Sequence, residues 1–157
     1  MSKPLAVDTL QQFRIILAAV RRHFHDVEAV CGISGAQMWM LQVISESPGI
    51  TVSRLGEALS VHVSTASSLL HKLTRAGLVE GVRNPADRRV VNLRLSAQGR
   101  ALLARAPGPA AGVIPQALAT LAPDVLERLH ADLATLIRQM HPTDRGDAAR
   151  PLSSLVR

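Results

Sequence analysis

Apolar residues in the first flank of the chain fall at Leu10, Phe13, Leu17, Val20, Phe24, Val27 and Cys31, a 3-4-3-4-3-4 spacing that gathers them on one helical stripe. Gly32 supplies a left-handed stop. Ser34, followed three residues later by Gln37, has the spacing of a capping box, so a second helix is expected from about Gly35 to Ser47. Its centre, Met38-Trp39-Met40-Leu41, is apolar on every side, the pattern of a helix enclosed by others, and Pro48-Gly49 ends it. Near the other end, Leu126, Leu129, Leu133, Leu136 and Met140 repeat the 3-4 spacing in a helix that starts at Pro123, a favourable first helical residue, and stops at Pro142. The polar, small-residue-rich run from Thr143 to Arg157 predicts a weakly ordered tail.

Between these flanks the pattern changes. Thr51 is placed to cap a short helix from Val52 to Leu59; a brief turn, Ser60 to Val63, leads into another helix that Gly77 closes after Ala76. Two β-rich runs follow, Leu78 to Arg83 and Val90 to Leu95, separated by the turn residues Asn84-Pro85-Ala86-Asp87 and an arginine pair. Ser96 is placed to cap a helix beginning Ala97-Gln98, which Pro107-Gly108-Pro109 breaks. Gly112 and Pro115 leave room for a short helix near Gln116 to Leu121.

The length, 157 residues, suits one ordinary domain, and 47% hydrophobic residues with a mean hydropathy of +0.17 provide a core. Charge narrows the function. Eighteen Lys and Arg against 12 Asp and Glu give +6, a balance that favours a polyanionic partner. Residues 51 to 100 hold eight of the basic residues and three of the acidic ones, 8 − 3 = +5, so the polyanion is expected at the middle of the chain. A single cysteine, Cys31, excludes an intrachain disulfide framework and a multi-cysteine zinc site. With no apolar h-region in MSKPLAVDTL and no 18-residue apolar run, the expectation is a soluble, cytoplasmic protein without a membrane partner.

A helix-turn-helix followed by a β-hairpin is a winged helix, whose second helix can lie in the DNA major groove while the hairpin tip reaches the neighbouring minor groove. On that second helix Ser64, Thr65, Ser67, Ser68, His71, Lys72 and Arg75 form a polar side, opposite Ala66, Leu69, Leu70 and Leu73. Short hydroxyls allow close approach to phosphates and bases, and Lys72 and Arg75 supply charge. At the hairpin tip Asp87-Arg88-Arg89 sets two guanidinium groups on a narrow turn, a shape suited to a minor groove, with Asp87 two residues from Arg89 and able to hold it.

The stretch TVSRLGEALSVHVSTASSLLHKLTRAGLVEGVRNPADRRVVNLRLSAQGRALL, Thr51 to Leu103, resembles the multiple antibiotic resistance regulator (MarR) family of bacterial transcription factors. The resemblance rests on the Leu73-x-x-x-Gly77-Leu78-Val79 exit from the recognition helix. It rests equally on the wing, Asp87-x-Arg89-x-x-x-x-x-Leu95-Ser96, leading into Gln98-Gly99. It implies a mainly α fold with a small β-hairpin wing: a winged helix-turn-helix lobe over 51–96 and a helical dimerisation region over 5–47 and 97–141. It further implies a homodimeric repressor on a palindromic operator, double-stranded DNA, released by a small aromatic or drug-like effector. In that picture Arg89 enters the minor groove with Asp87 orienting it, and Ser64, Thr65, Ser67, Ser68 and Lys72 face the major groove. Two departures stand out: His62-Val63 where relatives begin the recognition helix with a small polar residue, and the prolines that split the usual long helix after the wing.

Met38, Trp39 and Met40 are candidates to line an effector pocket, with Arg14, Arg21 or His23 to hold a carboxylate; core packing is the competing reading for the first three. Cys31 ends an apolar stripe and reads as packing rather than a redox sensor. The six histidines contain no i, i+4 pair, so no metal site is expected, and no cofactor. No phosphate loop, carboxylate pair or nucleophile elbow points to catalysis. The alternative to a regulator is a winged-helix architectural or protein-interaction module without a specific operator.

Overall fold

The computed structural model describes residues 3–142 and 145–156. Around the second helix, α2 (Gly35–Glu46), stand α1 (Lys3–Cys31), α3 (Val52–Ala58), α4 (Val63–Arg75), the strands β1 (Val79–Arg83) and β2 (Val91–Leu95), and α5 (Ala97–Ala104). The chain continues through α6 (Val113–Thr120) and α7 (Pro123–Met140) to a 3-10 turn (Gly146–Ala149) and the single turn α8 (Leu152–Leu155). Met38, Met40, Leu41 and Ile44 of α2 are wholly buried, and Val27, Leu55, Leu73, Val79, Leu93 and Leu95 close the core around them. Each such side chain taken from water contributes about 1.5–3 kcal/mol, so the all-round apolar helix is the axis of the lobe.

The local signals act as the residue types require. Ser34 Oγ accepts the Gln37 N–H at 3.2 Å while Gln37 Oε1 accepts the Ser34 N–H at 2.9 Å, the reciprocal capping box. Leu73-x-x-x-Gly77-Leu78 is a Schellman end: the Leu78 N–H donates to the Leu73 carbonyl, the Gly77 N–H to that of Thr74, and Gly77 takes φ +73°. Leu73 and Leu78 are both buried there, the apolar contact that accompanies the motif. Gly99 follows from packing, since a Cβ at that position would overlap the Leu78 carbonyl.

Three features differ from the sequence expectation. Gly49 and Ile50 pair with Leu93 through backbone bonds of 2.7 and 2.9 Å, adding a one-residue third member to the wing sheet where the sequence reads only as a turn. The helix expected near Gln116 begins earlier, at Val113, with Pro115 inside its first turn. There a missing N–H costs nothing, because first-turn donors have no intrahelical acceptor. The expected loose tail instead forms the 3-10 turn and α8, and α8 packs on α2; Thr143, Asp144 and Arg157 lie outside the described residues.

The stripe on α1 is divided. Val20 and Val27 are buried, whereas Leu10 and Leu17 are about half exposed, as are Leu5 and Val7. No residue of α7 is buried, and Leu126, Leu133, Leu136 and Met140 are exposed along it. Among the described residues no single helix is long and apolar enough to cross a membrane.

Candidate nucleic-acid interface

The second helix of the helix-turn-helix, α4, buries Ala66 and Leu73 and half-buries Leu69 and Leu70, which turns Ser64, Ser67, Ser68, His71, Lys72 and Arg75 to solvent, with Thr65 half-buried at the edge. Its N-cap, His62, makes no side-chain cap bond, so the first-turn N–H groups receive no acceptor from the N-cap side chain.

The wing is an antiparallel hairpin in which Val79 faces Leu95 and Arg83 faces Val91. Its seven-residue tip is held by its own polar groups. The Asn84 amide oxygen accepts the Ala86 N–H at 2.9 Å, and the Asp87 carboxylate accepts the Arg89 N–H at 3.0 Å. Asp87 also lies 4.0 Å from Arg89 Nε, while the Arg89 side chain is 96% exposed. The carboxylate thus sets the backbone of Arg89 and leaves its guanidinium projecting.

Each acid in the basic middle stands beside one arginine: Glu57 by Arg54 at 3.7 Å, Glu80 by Arg94 at 3.6 Å across the strands, and Asp87 by Arg89. Lys72, Arg75, Arg83, Arg88 and Arg100 remain without an acidic partner among the described residues. Those five cations are the +5 of the segment. Arg83, at the open end of β1, was not singled out from the sequence; its position next to the turn Asn84-Pro85 is the signal that marks it as a wing residue.

A model of the MarR family matches residues 32–90. The chain is 30% identical over 104 residues to the HTH-type transcriptional regulator YsmB of Bacillus subtilis (strain 168), spanning 65% of this chain and 71% of that protein. It is also 30% identical over 136 residues, 86% of this chain and 77% of the relative, to a Thauera aromatica protein assigned to regulation of the hcr operon. The chain belongs to the MarR family. It is accordingly a DNA-binding transcriptional regulator of winged helix-turn-helix fold, in a family of regulators rather than enzymes. The fold is shared with the DNA-bound crystal structure of Streptococcus pneumoniae FabT (TM-score 0.53, 22% identity, 88% of this chain and 96% of that one). It is shared too with a MepR-like protein complexed with pseudoligands (TM-score 0.58, 22% identity, 83% and 95%).

Two cavities of this MarR-family chain are lined by α1, α2 and the C-terminal segment. One, of about 310 Å³, is apolar and bounded by Val20, Phe24, Trp39, Leu59, Val61 and Leu69, with α6 and the C-terminal segment completing it. The other, a polar cleft of about 570 Å³, includes Arg21, His25, Glu28, Gln37 and Lys72. The six residues expected in an effector pocket do not line one common cavity of the single chain. Trp39 lines the apolar cavity and Arg21 the polar cleft, whereas Arg14 is exposed on α1 and lines neither. Met38 and Met40 are wholly buried in the core because α2 is enclosed on all sides.

His23 is buried 8% exposed beside Gly108, whose positive φ of +72° brings the proline-broken segment close to the ring. Its Nε2 has no hydrogen-bond partner among the described residues, and burial lowers its pKa from the usual 6.5, opposed by the nearby Asp26. Cys31 is half-buried, its Sγ 4.0 Å from the Arg105 carbonyl. Among the described residues no three His, Cys, Asp or Glu side chains gather as a metal-binding group.

Proposed function

We propose that this MarR-family regulator is a cytoplasmic repressor that binds a palindromic operator as a homodimer. Each subunit sets α4 in a major groove and inserts Arg89 in the adjacent minor groove. The observation that carries this reading is the wing tip: a guanidinium almost fully exposed, on a backbone fixed by Asp87, in a lobe whose α4 carries a hydroxyl-rich solvent face. Ser64, Thr65, Ser67, Ser68, His71, Lys72, Arg75 and Arg88 complete the surface, and Arg83 joins them. Dimer formation through α1 and α7 covers the leucines those helices leave exposed, a stripe a lone subunit would otherwise present to water. A small effector acts by preferring one separation of the two recognition helices, and it shifts DNA affinity only by its differential affinity for the two states.

The test is fluorescence anisotropy with the intergenic DNA beside the protein's own gene and a scrambled duplex, titrated across salt. Selective binding is expected, and with five cations on the proposed surface of each lobe, Lys72, Arg75, Arg83, Arg88 and Arg89, the slope of log K against log salt should be no steeper than about −9. Equal, weak binding to both duplexes would replace this reading with the architectural or interaction module.

A further inference from the structure

The last twelve described residues do something the DNA-binding reading does not use. The 3-10 turn and α8 lie over the apolar cavity and supply one whole wall of it through Ala148, Pro151, Leu152 and Leu155. The opposite walls come from two different parts of the protein: Val20 and Phe24 of α1 with Trp39 of α2, and Leu59, Val61 and Leu69 of the helix-turn-helix. The segment therefore straps the reading lobe to the helical base.

Its own sequence could not hold this shape. A four-residue helix has no stability in isolation, so α8 exists only by docking. The docking is light, since Leu152 and Leu155 are still 38% and 40% exposed. Lightly docked segments as a class lie at the low-stability end of proteins, where local opening leaves the core folded.

The chemistry of the enclosed space is equally definite. Among the described residues the charged ones on its wall are Asp147 and Arg150, which bind each other at 2.8 Å and are both part of the strap. Arg14 and Arg21 stand outside it, and its volume is near the lower bound of ligand pockets, enough for a molecule of two or three rings. An anion entering there would leave water without gaining an unpaired cation, whereas an uncharged molecule meets no such cost.

We infer that residues 145–156 form a detachable strap that closes a binding site for an uncharged apolar molecule. The ligand lies beneath α8, against Trp39. Its consequence for DNA binding rests on the effector-responsive reading above; the site itself does not.

The chain's one tryptophan, Trp39, lines the cavity and reports on it directly. The experiment is energy transfer from Trp39 to the neutral fluorophore N-phenylnaphthylamine, in the full chain and in the full chain carrying Leu152→Asp with Leu155→Asp. Helix content by circular dichroism checks the fold, and Leu152→Ala with Leu155→Ala is read in the same way if the aspartate pair unfolds it. Saturable transfer is expected in the wild type, with affinity about tenfold weaker in the strap variants. Equal affinity in wild type and folded variants would overturn the strap. The anionic anilinonaphthalene sulfonate should bind about tenfold more weakly than the neutral probe; binding as tight or tighter would overturn the ligand class and move the site to the Arg21 cleft. Operator affinity with and without saturating neutral probe then separates the two readings: no change leaves the site intact and removes the effector role.

Discussion

The Ser96 hydroxyl donates a 2.6 Å hydrogen bond to the carbonyl of Gly77, nineteen residues earlier, at the exit of the recognition helix. The same oxygen accepts the Gly99 N–H at 3.0 Å and so caps α5. One side chain thus ties the end of α4 to the end of the wing and to the helix that follows. Ser96→Ala should lower stability by about 1–2 kcal/mol, the usual cost of a lost cap, and should also weaken operator binding by loosening wing against helix. Urea unfolding with parallel anisotropy checks both; a variant as stable as the wild type would remove the clasp from the account.

Arg89 and Asp87 divide their work. Arg89→Ala should weaken specific DNA binding by about 1–3 kcal/mol while the oligomeric state stays as it was. Asp87→Asn retains an oxygen for the Arg89 N–H and should keep most of the specificity, whereas Asp87→Ala should lose it without the stability changing much. Specific and scrambled duplexes titrated against all three variants decide the matter. Equal loss on both duplexes would make Arg89 a phosphate contact.

The exposed leucines of α7 give the dimer its test. Leu133→Glu with Leu136→Glu places charge where association would bury apolar surface, and should yield monomers by sedimentation at micromolar concentration. The winged lobe should keep its fold, because no residue of α7 is buried in it. A wild-type chain that sediments as a monomer would sink the dimer outright.

His23 makes stability depend on acid. Its pKa is lowered in the folded protein chiefly by burial, so the unfolded chain takes up its proton first as pH falls through 6.5. The stabilisation is full above that pH, declines as pH drops toward the lowered folded value, and levels off once both states are protonated. His23→Leu should flatten this part of the profile and remove the unpartnered Nε2. Asp26→Asn, which removes the opposing charge, should steepen it. Chemical denaturation between neutral and mildly acidic pH is the measurement, and identical slopes in all three proteins would exclude His23 as the cause.

Local chemistry was legible in the sequence because its partners lie within a few residues. The Ser34 and Gln37 capping box, the Gly77 helix end, the wing turn with Asp87 and Arg89, and the polar face of α4 all rest on i+2 to i+5 relations, and the structure forms each of them. The concentration of charge at the middle of the chain was equally plain, since it needs only counting.

Tertiary structure decided what depends on distant segments meeting. Periodicity showed that α1 and α7 each carry an apolar stripe, but only the packing of α2 and its neighbours determined that Val20 and Val27 are covered within the subunit while Leu17 and Leu133 are not. Met38, Trp39 and Met40 are adjacent in sequence, yet successive residues on a helix point about 100° apart, so one reaches the cavity and two enter the core. The pairing of Ile50 with Leu93 and the docking of 145–156 over α2 have no local signature at all. A short segment with weak propensity takes its conformation from the surface that receives it, and that surface exists only after the chain has folded.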